Sequence, residues 1–211
     1  MTIKNSVIIR HPFLEEMNIV GELLLISFYD KFSFIFQDNL RLGKKIFDTF
    51  FLYNFKKKEL KRYLIAVRNK DILGTVELNI KSRYPSISFI FSLLVTLLRY
   101  YRWFNFLKKF IAIILLKFEI TDKETAHITS LAVKPETRNQ KIGRKLLITA
   151  EHLALKNNCK YIALGVIFRN VYARNLYKKL GYKIIFSIKS TLLLLLMGVD
   201  GVSVMKKNCE I

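Results

Sequence analysis

The chain has 211 residues, 52% of them hydrophobic, and a formal net charge of +20. That length suits one domain, and that apolar content excludes a disordered chain. The charge favours anionic partners, but the lysines are scattered rather than gathered into a stripe, which argues against dedicated nucleic-acid binding.

Ser6–Arg10 reads as a short strand. Pro12 sits near the start of a helix running to about Tyr29, with Leu14, Met17, Val20, Leu24 and Phe28 recurring at helical spacing. Arg41–Asn54 predicts a second helix. Tyr63–Arg68 and Leu73–Ile80 are β-rich runs on either side of Asn69-Lys70-Asp71, a hairpin pattern. Lys81–Thr121 departs from this regularity. Its apolar stretches, Ile87–Leu98 and Ile111–Leu116, are too short to span a bilayer, and they flank a basic, aromatic segment around Trp103.

Regularity returns with a strand at His127–Val133, an amphipathic helix at Lys141–Lys156 and an apolar strand at Lys160–Phe168 that should be covered on both faces. Asn170 is a good N-cap for the next helix, and Gly181 a natural stop for it. Tyr182–Ile188 and Gly201–Lys207 complete the strands. The order βααββ, insertion, βαβαββ predicts an α/β fold with a mixed central sheet flanked by helices. With no linker or repeat in view, residues 1–211 read as one domain with an insertion at approximately 81–121. The two cysteines, Cys159 and Cys209, form no metal or disulfide pattern, and no secretory signal is visible, so a metal-free, cytoplasmic protein is expected.

Val133–Arg144 carries the chemistry. It joins a strand to a strong helix, whose first N–H groups lack internal partners and whose dipole favours an anion. Gly143 permits close approach to the backbone, and Arg138, Lys141 and Arg144 supply positive charge. These residues alone fit either a polyphosphate site or an ordinary strand–loop–helix connection with a solvated basic face.

The run V-x-P-x-x-R-x-x-x-I-G-x-x-L-L resembles motif A of the GNAT superfamily of N-acetyltransferases, with Lys141 in place of the motif's first glycine. Asn170–Tyr182, reading N-x-x-A-x-x-L-Y-x-K-x-G-Y, resembles motif B at the right distance. The resemblance covers roughly Ile128–Ser187 and implies a V-shaped split between the central strands. It implies that acetyl-CoA binds there. Leu131, Ala132 and Val133 would hold the pantetheine arm, and Arg138, Asn139, Gln140, Lys141, Ile142, Gly143 and Arg144 the pyrophosphate. Asn170 would contact the cofactor and Tyr177 would lie near the thioester sulfur. Lys141 is expected to be helical, a conformation in which a lysine costs little.

The resemblance also implies direct attack of a primary amine on the acetyl group, with Tyr177 as proton donor to the thiolate. Many relatives carry a base Glu where Thr129 stands. His127, on the same strand face as Thr129 by period two, and Glu77 on the preceding strand are the alternatives, with solvent as a third. In such folds the 81–121 insertion would border the acceptor cleft. It could be an added helical layer, a hydrophobic wall for a lipophilic acceptor, or a membrane-surface or partner-binding element through 87–116. Thr191–Val199 could pack against it or form a homodimer contact. A non-catalytic CoA-binding module is the rival to an enzyme, and a small-molecule or peptide amine is the expected acceptor.

Overall fold

The computed structural model describes residues 6–27, 41–45, 48, 57–80, 94–96, 98–99, 124–189, 191, 194 and 199–209. Most of the segment 87–116, with its expected membrane contact, and most of the apolar run Thr191–Val199 lie outside the described residues. So does most of the predicted helix Arg41–Asn54, of which 41–45 and 48 are helical. Among the described residues, no helix is long and apolar enough to cross a membrane.

The strands are β1 (Ile8–Arg10), β2 (Tyr63–Arg68), β3 (Asp71–Asn79), β4 (Thr125–Val133), β5 (Tyr161–Ile167), β6 (Lys183–Lys189) and β7 (Gly201–Asn208). The helices that matter here are α1 (Met17–Ser27), α2 (Ile142–Lys156) and α3 (Val171–Lys179). Seven strands form one sheet in the order β1-β2-β3-β4-β5-β7-β6. Neighbours run antiparallel except β4 and β5, which are parallel and have α2 between them in the chain. This is the mixed α/β layer the sequence predicts. The apolar stripe of the first helix begins later than its proline: a 3-10 turn over Leu14–Glu16 precedes α1.

Each sheet face has its own helices. Ile142, Leu146, Leu147, Ala150 and Ala154 of α2 pack on Leu64, Val76, Leu78, Ile128, Ile162 and Leu164. Tyr177 of α3 joins that cluster. The opposite face buries Met17, Val20, Leu23 and Leu24 of α1 against Tyr63, Ile65, Val67, Ile72 and Ala132. Complete burial of side chains such as Leu146 and Leu147 contributes roughly 1.5–3 kcal/mol each. β5 differs from expectation in one respect: Gly165 is exposed, so the strand is not covered throughout.

Asn69 and Lys70 both take positive φ, 50° and 69°, and make a two-residue turn between the paired Arg68 and Asp71. Gly74 of β3 lies under the first turns of α2. A Cβ there would stand 2.8 Å from the Ala132 carbonyl oxygen, with Leu146 and Ile142 methyls at 3.2 and 3.3 Å. Its bare backbone therefore lets α2 sit down on the sheet. Gly74→Ala should destabilise the fold by about 1–3 kcal/mol, the usual cost of overpacking. Urea unfolding measures this, and an unchanged midpoint would contradict the tight contact.

Candidate active site at the parting of two parallel strands

The ladder between β4 and β5 pairs Thr125 with Tyr161, Ala126 with Ile162, His127 with Ala163 and Ile128 with Leu164. There it stops. β4 runs on to Val133 beside β3, and β5 runs on to Ile167 beside β7. The two strands therefore part at their C-terminal ends, as the V-shaped split requires. β4 also carries a bulge. Glu77 pairs with Ser130 and Leu78 with Ile128, which leaves Thr129 as the extra residue. His127 lies between Ala126 and Ile128, both on the α2 face, and so points to the α1 face.

The segment after β4 builds an anion-binding shape at this same end. Pro135–Thr137 makes a 3-10 turn, and Thr137 Oγ1 donates to the Lys134 carbonyl at 3.0 Å. Asn139 has φ 65° and Lys141 φ 61°, with Gln140 between them outside the positive-φ set. Left-handed residues in a turn of this kind are the conformation in which successive N–H groups can gather into a backbone nest. Lys141 is the N-cap of α2 in a left-handed conformation, and its side chain makes no capping bond. The helical conformation expected for it is thus wrong. The motif's usual glycine fits the left-handed region, and here a lysine occupies it at a cost of order 1 kcal/mol or more. The first bond within the helix is Lys145 N–H to the Lys141 carbonyl, 3.1 Å, so the N–H groups of the opening turn face outward along the helix axis.

Gly143 lies where this turn meets the gap. A Cβ on it would approach a Leu176 methyl of α3 and a Val133 methyl at 3.6 Å each, and a Leu131 methyl at 4.0 Å. Leu131, Val133, Gly143 and Leu176 therefore lie side by side where the strands part. A slender chain ending in a polyphosphate fits this arrangement: apolar walls between the strands, then a nest and helix N-terminus flanked by exposed Arg138, Lys141 and Arg144. Ala132 instead faces α1, so only its backbone can contribute. Ile142 is 1% exposed and anchors the helix in the core.

Asn170 caps α3 as expected: its Oδ1 accepts from the Ala173 N–H at 3.1 Å. Gly181, φ 90°, ends the helix, with Gly181 N–H to the Lys178 carbonyl and Tyr182 N–H to the Tyr177 carbonyl, both 3.0 Å. These two ends fix Tyr177, which is 7% exposed, with its ring centroid 5.9 Å from that of Tyr182. Burial pushes the Tyr177 hydroxyl up to about 12. It stays protonated at neutral pH, as a proton donor must.

Glu77 and His127, both 7% exposed, lie on the α1 face, opposite the cluster that holds Tyr177. Glu77 is not an isolated carboxylate. Arg62 donates to its Oε1 at 2.7 Å and Ser130 Oγ to its Oε2 at 3.4 Å. Sequence reading missed both partners. Arg62 lies in a lysine-rich stretch that looks like solvated surface, and Ser130 becomes Glu77's neighbour only through the bulge. The insertion also attaches elsewhere than expected. Its flanks, Asn79–Ile80 and Glu124–Thr125, lie at the closed end of the β4–β5 ladder, away from the parting. Among the described residues, no group of His, Cys, Asp or Glu is placed to hold a metal ion.

A model of the acetyltransferase (GNAT) family matches residues 25–182, and the chain belongs to that family. It is 46% identical over 63 residues to an uncharacterized N-acetyltransferase of Methanocaldococcus jannaschii, a match over 29% of this chain and 40% of that one. The curated relatives are matched over about two fifths of their own length. The fold resembles that of the ribosomal-protein-S18-alanine N-acetyltransferase of Escherichia coli, with TM-score 0.58 and 13% identity over 98% of this chain and 96% of that one. It also resembles a PaiA N-acetyltransferase of Thermoplasma acidophilum solved in complex with coenzyme A, with TM-score 0.58 and 18% identity over 96% and 99%.

Two outcomes follow. Lys141→Gly should relieve the left-handed strain, less the extra entropy of an unfolded glycine, and raise the melting temperature by about 1–3 °C. A lower melting temperature would contradict the strain. For Tyr177 the folded hydroxyl at about 12 lies above the unfolded value of 10.0. Its stabilisation is complete below pH 10 and is lost as pH rises from 10 to 12, on the order of 3 kcal/mol in all. Tyr177→Phe should therefore show a shallower fall in stability over that window, read by denaturant titration at each pH.

Proposed function

We propose that this chain transfers the acetyl group of acetyl-CoA to a primary amine by direct attack. The observation that carries this reading is the coincidence, at one end of the sheet, of the parted β4 and β5 with the nest and helix N-terminus at Asn139–Arg144. Acetyl-CoA, when bound, would supply an activated thioester. Leu131 and Val133 would flank its pantetheine arm, and Arg138, Lys141, Arg144 and the N–H groups of the α2 start would hold its phosphates. A backbone N–H of β4 near the bulge would polarise the acetyl carbonyl.

Tyr177, protonated on the α2 face, would supply the proton that a departing sulfur needs. The amine would enter from the α1 side, where Glu77 and His127 stand. Glu77, bonded to Arg62, is better placed to fix the site's charge than to take a proton itself. Proton removal through water then suffices for an amine that is partly neutral at physiological pH. An α-amine, with a pKa of about 7.7–8.0, meets that condition, whereas a lysine side chain at about 10.4 does not without a stronger base. We therefore favour the α-amine of a protein or peptide as acceptor. The alanine acceptor in the name of the Escherichia coli fold neighbour agrees with that choice.

The test is release of free thiol from acetyl-CoA with a panel of peptides and small amines. Peptide α-amines should turn over, and Tyr177→Phe should lower kcat by about 100-fold or more while CoA affinity changes only a few-fold. Binding of CoA without turnover of any amine would instead establish a non-catalytic CoA-binding module. Gly143→Val places a branched side chain against Leu131, Val133 and Leu176, and should abolish CoA binding in a chain that still folds.

A further inference from the structure

We infer that Arg68 is a positioning residue for cofactor binding: from the tip of the β2–β3 hairpin it holds Gln140, and through it the nest, in the shape that receives the pyrophosphate. The inference rests on the acetyl-CoA reading above. Arg68 is distant from the cofactor loop in sequence, and no motif marks it.

Three observations support it. Arg68 Nη2 donates to Gln140 Oε1 at 2.6 Å, across 72 positions of sequence. A charged donor makes such a bond stronger than one between neutral groups. Gln140 is otherwise an exposed loop residue, and it stands between the two left-handed residues, Asn139 and Lys141. Anchoring its side chain restrains the peptide units on both sides, whose N–H groups line the nest. Finally, the donor comes from a rigid base. Arg68 pairs with Asp71 beside the two-residue turn. The same hairpin grips the other end of the loop: Lys134 N–H donates to the Leu73 carbonyl at 2.8 Å, and Lys134 Nζ meets Asp71 Oδ1 at 2.6 Å. The loop is thus tied to the hairpin at its start and at its nest. The motif's missing glycine at Lys141 makes the second tie more important, because a lysine left to itself prefers to leave the left-handed region.

The test is a double-mutant cycle on CoA affinity, measured by calorimetry, which needs no acceptor. Arg68→Met keeps the aliphatic stem and removes the donor, and Gln140→Ala removes the acceptor. Each should weaken CoA binding about three- to tenfold, the scale of one lost charge-assisted bond. The double variant should be no weaker than the weaker single variant, because the two residues act as one device. Arg68→Lys should recover part of the loss. Melting temperatures of the unliganded variants identify any that fail to fold, and Arg68→Gln then replaces Arg68→Met.

Two results overturn the inference while leaving the cofactor reading intact. One is unchanged CoA affinity in a folded Arg68 variant. The other is losses that multiply in the double variant, which would mean that Arg68 acts on the phosphates directly by its charge. A wild-type chain that binds no CoA would overturn the cofactor reading itself.

Discussion

Four residue pairs, Thr125–Ile128 with Tyr161–Leu164, join the two halves of the sheet. On one side stand β1 to β4 and on the other β5, β7 and β6. Everything proposed for the site depends on how short this parallel ladder is. Longer pairing would close the gap and satisfy the backbone of β4 and β5 against each other. Shorter pairing would leave the halves joined by little more than α2. The structure holds the balance by packing α2 over β2–β5, so that Ile142, Leu146, Leu147, Ala150 and Ala154 share one core with side chains from both halves. Backbone groups beyond Ile128 can then face a gap without the sheet coming apart, because side-chain burial replaces the missing ladder bonds as the source of cohesion.

The same parting organises the chemistry. The buried, protonated Tyr177 lies on one face of the sheet and a charged pair, Arg62 with Glu77, on the other. A proton donor needs a dry, apolar setting to keep its proton, and an ionised carboxylate needs a cation and hydrogen bonds to remain charged when buried. Those demands are incompatible at one point but not on opposite faces of one sheet. The bulge at Thr129 serves both. It re-aims the strand so that Ser130 meets Glu77 while Leu131 and Val133 still face the helix side. Thr129 is thus the bulge residue itself, and Glu77 of β3 pairs with its neighbour Ser130.

Much of this was legible before any coordinates. Strands β2 to β5, the helix stop at Gly181 and the cap at Asn170 are local features, each set by a few neighbouring residues. Two readings failed for one common reason. Helix propensity favours a helical Lys141, but the residue sits at φ 61° where the loop enters α2. The insertion was assigned to the acceptor side, whereas the direction of β3 and β4 puts its attachment at the closed end.

The sequence by itself determined the family, the order of the elements and the strand–loop–helix segment Val133–Arg144, since motif spacing and apolar periodicity are local codes read over a turn or two of chain. Only the tertiary structure decided which face each polar side chain occupies, where the strands part, and that Arg68 reaches Gln140. Those facts depend on register and on loops closing against distant elements. A shift of one residue reverses a side chain's face, and a contact across 72 positions leaves no periodic trace.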